Sequence, residues 1–260
     1  MFLILAAALK LAISSPLGAQ QAQKDAAELS TMFTTLLHQP VEAQVVPHED
    51  LPALLAQGKV DLAWLSASQY VRAAPAEPVA KLLRGGLPFY RSAVFVRKNG
   101  VKRLTDLKGK RLAFVSEQSG AGYLLALSVL AGAGFTEPDL RGRKFLGDHA
   151  AVCKAVLDGT ADAGATFAND GRGGALAGCE QTLGARAKEL RVLATSDPIP
   201  NDVIALRPGA STALRDQLRA SLLALSQSTD GRKLLAALFH ADGFVPAEDA
   251  DYAPLRGTRR

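Results

Sequence analysis

Pro198-Ile199-Pro200-Asn201-Asp202-Val203-Ile204-Ala205-Leu206 is a turn stiffened by two prolines that runs directly into a short apolar strand. Its position in the chain decides the fold. Two stretches of alternating strand and helix patterns precede it, and helical patterns follow it. A chain ordered in this way leaves one α/β half through the tract at 85–98, completes a second half, and returns. The class is therefore α/β and bilobal, with parallel or mixed sheets and a ligand cleft between the lobes. The expected boundaries are 9–90 with 203–260 for the first lobe and 91–202 for the second, after an apolar leader at 1–8.

Working outward from the return tract, Leu9 to Ile13 reads as a strand, and Ala26, Leu29, Phe33, Leu36 and Leu37 repeat at helical spacing behind it. Val41 to Val46 is a second strand and Asp50 to Gln57 a short helix. Val60 to Leu65 is a nearly continuous apolar run, which suits a strand covered on both faces. Strands follow near 78–83, 92–97 and 111–115. A helix then opens in Ser119-Gly120-Ala121-Gly122 and carries Leu124, Leu127 and Leu130 inward. A strand near 143–146, a helix from Ala150 to Leu157, a strand from Ala161 to Thr166, a loosely specified helical stretch at 172–188 and a strand at 190–195 complete the second half. After the return come a helix capped by Ser211 or Thr212, a second helix over 230–239, and an extension from Gly243.

Composition narrows the function classes. With 48% hydrophobic and 21% charged residues the chain folds into a packed globule, and its net charge of +5 suits an anionic ligand or a general surface bias. The basic residues are scattered and lack interleaved aromatics, which argues against nucleic acid as a partner. Met1 to Ala8 reads as the remnant of a secretory signal peptide, with an extra buried strand as the alternative, and it is too short to span a bilayer. Cys153 and Cys179 match no redox or zinc spacing, so they are either a disulfide or two small buried hydrophobes. His38, His48, His149 and His240 form no metal-ligand pattern, and no cofactor is implied.

A set of segments in order carries a resemblance. These are Gly58 to Leu65, Tyr90-Arg91-Ser92, Leu104 to Phe114, Ser119 with Gly122-Tyr123-Leu124, His149, Asp162 to Ala165, Ile199 to Asp202, and Asp242-Gly243-Phe244. Together they resemble the phosphonate, phosphite and phosphate receptors of ABC importers, which are type II periplasmic binding proteins. The resemblance implies a bilobal receptor without enzymatic activity, periplasmic or exported, with anchoring to a membrane through a missing N-terminal segment as the alternative to a free form. It further implies a monomer that captures a small anion and presents it to an ABC permease. The alternative is an enzyme or a ligand sensor on the same fold, since a fold does not fix a function.

A dehydrated phosphorus oxyanion needs several donors to replace its lost water. Helix N-termini supply them, because their first N–H groups have no intrahelical partner. The resemblance carries the ligand shell onto Tyr90, Ser119, His149 and Asp202, with Gly120 and Ala121 standing where the family usually has hydroxyl residues, so only backbone N–H groups remain there. His48 falls roughly where relatives place an aromatic hydroxyl, and an exposed loop histidine is the alternative. Asp202 repels an anion unless one partner holds a proton, which favours protonatable phosphorus oxyanions over sulfate. For Asp202, His149 and Tyr90 the competing readings are a turn residue, a helix cap and a hinge or core tyrosine. Trp64 reads as lobe core, and Ser66 as the cap of the following short helix.

Overall fold

The computed structural model describes residues 7–13, 19–47, 49–169 and 176–256. His48 and the first six residues of the apolar leader lie outside these ranges, so the readings made of them stay where the sequence left them. The chain divides into two compact units, Met1–Pro88 with Pro200–Arg260, and Phe89–Ile199.

The first unit opens with β1 (Leu9–Ile13), α1 (Ala19–Leu37), β2 (Val41–Val45), α2 (Leu51–Ala56), β3 (Leu62–Leu65), α3 (Ala67–Arg72) and β4 (Glu77–Leu83). The second unit contains β5 (Phe89–Arg97), β6 (Leu112–Phe114), a π-helical turn at Gly120–Leu124 that runs into α4 (Leu125–Gly132), β7 (Arg143–Phe145), α5 (His149–Leu157), β8 (Ala163–Ala168), α6 (Ala177–Leu183) and β9 (Leu190–Thr195). The two-residue β10 (Ile199–Pro200) pairs into the second sheet and crosses the boundary between the units. The chain then adds β11 (Val203–Leu206), α7 (Thr212–Leu225), α8 (Thr229–Phe239), β12 (Gly243–Pro246) and α9 (Ala253–Arg256) to the first unit.

The first sheet has the order β12-β4-β11-β3-β1-β2. β1 lies parallel to β2 and β3, whereas β11 is antiparallel to both β3 and β4. The returning strand thus fills the middle of the sheet rather than an edge, and all four of its residues are buried. Its apolar run follows from that position, because a central strand is covered on both faces. Leu29 and Phe33 of α1, and Leu218 and Leu222 of α7, are fully buried against this sheet, each pair four residues apart on one helix face. The extension after Gly243 is not a loose tail: Gly243 to Pro246 pair antiparallel with β4. Pro246 is tolerated because β12 is an edge strand, where a missing N–H costs no ladder bond.

In the second sheet β5 is antiparallel to β8 and β9, while β6 is parallel to β7 and β8. Strand alternation sends Ala93 and Phe95 into one core with Val152, Val156 and both cysteines, and Val94 and Val96 into another with Phe114, Leu130 and Phe135. Cys153 and Cys179 are a disulfide joining α5 to α6, with Cα atoms 5.4 Å apart. That settles the alternative left open by their spacing and fits an oxidising compartment.

One inward assignment is overturned. Leu124 is 41% exposed while Leu130 is buried and Leu127 packs at the core's margin. The reason is the π-turn: Leu124 N donates to Ser119 O five residues back, and Leu125 N to Gly120 O. The extra residue per turn shifts the helix phase ahead of α4. The strand expected from Ala161 to Thr166 starts later than its apolar run, at Ala163, and continues to Ala168.

Candidate functional site

Parallel strands place functional groups at their C-terminal ends. In the second unit β6, β7 and β8 run parallel in register, so the segments leaving them, at 115–119, 146–149 and from Asn169, emerge at one edge of one sheet. β5 runs the other way, pairing Arg91 with Ala168 and Ser92 with Phe167, which puts half-buried Tyr90 at that same edge. Five of the residues expected to bind ligand, Tyr90, Ser119, Gly120, Ala121 and His149, therefore share the edge. Asp202 belongs to the first unit.

The turn that begins at Ser119 is held from three sides. Ser119 has extended backbone angles, and its Oγ accepts from Gly122 N at 3.1 Å, as a helix cap does. Ser92 Oγ on β5, fully buried, donates to Ala121 O at 2.6 Å, and Val115 N donates to Gly122 O at 3.2 Å. A Cβ on Gly122 would lie 2.4 Å from Val115 Cγ2, so only glycine lets the turn close against the strand it leaves. Gly122 thus serves packing, and the N–H groups of Gly120 and Ala121 begin a helix, where no intrahelical acceptor exists. The Ser119 hydroxyl oxygen is committed to the cap, which leaves its O–H as a donor.

His149 is the first residue of α5, but Asp148 caps that helix, its Oδ1 accepting from Ala151 N at 2.7 Å. The competing reading of His149 as the cap is thereby removed. Its Nδ1 lies 2.9 Å from Thr166 Oγ1, a fully buried hydroxyl on β8, and its ring meets Phe167 edge to face at 5.1 Å. Burial lowers its pKa to about 4, against a smaller opposing pull from the Asp148 carboxylate. The imidazole is therefore neutral across the physiological range and offers one N–H and one acceptor, and the Thr166 hydroxyl, which can donate or accept, pairs with Nδ1 in either tautomer.

A pH dependence follows from this burial. The folded state resists protonating His149, so the unfolded chain takes up a proton first as pH falls below the ordinary value near 6.5. The associated stability is complete above about pH 6.5 and is lost as pH falls toward about 4, by on the order of 2–3 kcal/mol. Thermal unfolding followed from pH 7 to 4.5 is expected to show the loss, and His149→Gln to flatten it. An equal slope in the variant would exclude His149 as its source.

In the first unit Asp202 directly precedes β11. Its Oδ2 accepts from Arg84 Nη2 at 2.8 Å and from Trp64 Nε1 at 3.3 Å. Arg84 also donates to Phe239 O, and the Trp64 ring sits 4.5 Å from Phe239. Trp64 is thus half-buried at the core's margin with its indole N–H engaged, rather than wholly core. The neighbour Asn201 is fully buried and donates through Nδ2 to Leu82 O and Leu87 O, either side of Arg84, so the arginine's loop is fixed to the returning strand. The sequence reading missed Arg84. Its signal was present, a single cation between the apolar run of β4 and the turn at Gly85-Gly86.

Ser66 caps α3 in a reciprocal box with Gln69, as its position suggested. Tyr70 is 1% exposed and donates to Asp249 at 2.7 Å, and burial pushes its phenol well above the usual value, which makes it a core residue. Asn169, where β8 ends, and Asn201 each bury a side-chain Oδ1 that has no hydrogen-bond partner among the described residues. Among the described residues no cluster of His, Cys, Asp or Glu is arranged to hold a metal ion.

Solved structures share this architecture. PhnD1 from Prochlorococcus marinus, in complex with methylphosphonate, superposes with a TM-score of 0.75 at 20% identity, over 96% of this chain and 96% of that one. A binding-protein component of an ABC phosphonate transporter from Pseudomonas aeruginosa gives 0.74 at 20% identity, over 96% and 85%. XAC2383 from Xanthomonas citri, bound to chloride ion, gives 0.78 at 21% identity, over 96% and 95%. At these identities the likeness establishes a type II periplasmic-binding-protein fold. The family model described as "ABC transporter, phosphonate, periplasmic substrate-binding protein" matches residues 11–252, almost the whole chain. That match takes in the capped turn at Ser119 and His149, and on it this chain belongs to the periplasmic substrate-binding proteins of ABC phosphonate transporters.

Proposed function

We propose that this protein captures a phosphorus oxyanion, a phosphonate, phosphite or phosphate, and releases it unchanged to an ABC permease. Family membership implies a small ligand, a permease partner and a periplasmic or exported location. Among the described residues no helix is long and apolar enough to cross a membrane. The observation that carries the anion reading is the braced turn at 119–122, whose leading amides lack intrahelical acceptors, beside a histidine kept neutral by burial. Amide N–H groups and a neutral imidazole bind an anion without a full counter-charge. Selection then falls to Asp202.

Asp202 with Arg84 forms an ion pair of near-zero net charge, so the carboxylate's repulsion of an anion is offset. Its Oδ2 is engaged, which leaves Oδ1 to accept a proton-bearing oxygen. A monoprotonated phosphonate or phosphite supplies that hydrogen, and sulfate at neutral pH does not. Methylphosphonate, the ligand of the similar Prochlorococcus protein, is such a phosphonate.

Trp64 is the single tryptophan and its indole donates to Asp202, so its emission reports directly on that carboxylate. Titration with methylphosphonate, phosphite or phosphate is expected to change the emission saturably. Ligand at about 100 times its Kd adds about 2.7 kcal/mol to stability in thermal unfolding. The ligand is expected to be recovered intact. If no phosphorus oxyanion alters either emission or unfolding, the proposed specificity is wrong.

A further inference from the structure

His149 is held by two residues of β8, Thr166 through its hydroxyl and Phe167 through its ring. Both are in turn backed by one position on α6. A Cβ built on Gly178 would lie 2.1 Å from Thr166 Oγ1, 3.0 Å from Phe167 Cε1 and 3.1 Å from Phe167 Cδ1. The helix backbone therefore abuts both partners of the histidine at once, and no side chain larger than hydrogen fits. Thr166 is fully buried and β-branched, with few alternative rotamers, so it cannot yield without giving up its hydrogen bond.

What keeps α6 so close is the next residue. Cys179 is bonded to Cys153 on α5, the helix that His149 begins, and both cysteines are fully buried. The covalent link thus ties the helix that bears the histidine to the helix that backs the histidine's partners. Two separate contacts, one steric and one covalent, converge on the orientation of a single imidazole. General stabilisation of a core does not require that convergence.

The geometry points to Gly178 and the Cys153–Cys179 disulfide as positioning elements for anion binding, which fix the orientation of His149 through Thr166 and Phe167. This rests on His149 contacting the anion, as proposed above. α6 itself touches no ligand in this scheme. Its contribution is that the imidazole presents one ring nitrogen in a fixed direction.

The test combines ring ¹⁵N NMR of His149, assigned by difference with His149→Gln, with methylphosphonate titration. Gly178→Ala retains the disulfide and fills the space of Thr166 Oγ1, and Cys153→Ala with Cys179→Ala removes the link. Both are expected to shift the His149 ring ¹⁵N resonances as the Thr166 bond is lost and to weaken binding by about 10-fold, the loss of one oriented hydrogen bond. Thr166→Val, which conserves shape, is expected to do the same and replaces Gly178→Ala should the latter not fold. Variants that keep both the ¹⁵N pattern and the affinity overturn the inference. His149→Ala separates the two claims: unchanged affinity there rejects the site reading, and the ¹⁵N pattern still decides the brace. Weakened affinity in His149→Ala with unaltered Gly178 and cysteine variants rejects the brace alone.

Discussion

Arg84→Met is expected to weaken binding of a phosphorus oxyanion by about 10- to 100-fold, equivalent to about 1.4–2.8 kcal/mol. The guanidinium lies 2.8 Å from Asp202 Oδ2, and the side chains are 22% and 21% exposed, so the pair is neither fully solvated nor deeply buried. At an intermediate dielectric a contact pair of unit charges interacts by about 4 kcal/mol, which partial exposure reduces. In the proposed site, loss of Arg84 leaves the carboxylate's full negative charge facing the anion. Unliganded stability is expected to fall by about 1–2 kcal/mol, because removing one member of a partly buried pair strands the other. Adding Asp202→Asn removes the stranded charge, so the double variant is expected to recover part of both losses. Calorimetric titration and thermal unfolding of the two variants measure this, and an Arg84→Met protein with wild-type affinity would refute the role given to the pair.

The second large effect concerns stability. Cys153 and Cys179 are 26 residues apart, and closing a loop of that size in the unfolded chain contributes about 3 kcal/mol. Cys153→Ala with Cys179→Ala is expected to lose about that amount, with a further small cost for the emptied volume between α5 and α6. The loss has a location. Amide exchange is expected to rise in 149–157 and 177–183 of the second unit while the first unit's core, around Leu11, Leu29 and Phe33, keeps its protection. A uniform rise across both units, or a loss well below 1 kcal/mol, would show that the link does not hold this region.

Much of the fold was legible because it rests on long apolar patterns. The run at Val203 to Leu206 behind a Pro-rich turn marked a buried returning strand, and that strand fills the centre of the first sheet. Short and irregular pieces were not legible. Gly243-Phe244-Val245-Pro246 carries a glycine and a proline at its ends, so local propensity speaks against the edge strand that tertiary pairing makes of it. The π-turn has no side-chain signature, and it alone moves Leu124 from the expected inner face to the surface. Of the candidate site, the residue types came from resemblance, and their surroundings came only with coordinates. Nothing in the sequence pairs Arg84 with Asp202, 118 positions apart, or His149 with Thr166, because such pairs are set by which strands become neighbours.

The central claim is that donors without full positive charge, together with a charge-compensated Asp202, select a protonatable phosphorus oxyanion. Calorimetric titration of the wild-type protein with methylphosphonate, phosphite and sulfate at pH 7, repeated for Asp202→Asn, tests it most directly. The account predicts one-to-one binding of a phosphorus oxyanion, much weaker binding of sulfate, and a narrower gap in the variant. Sulfate bound as tightly as every phosphorus oxyanion, or no heat from any of them, would contradict it.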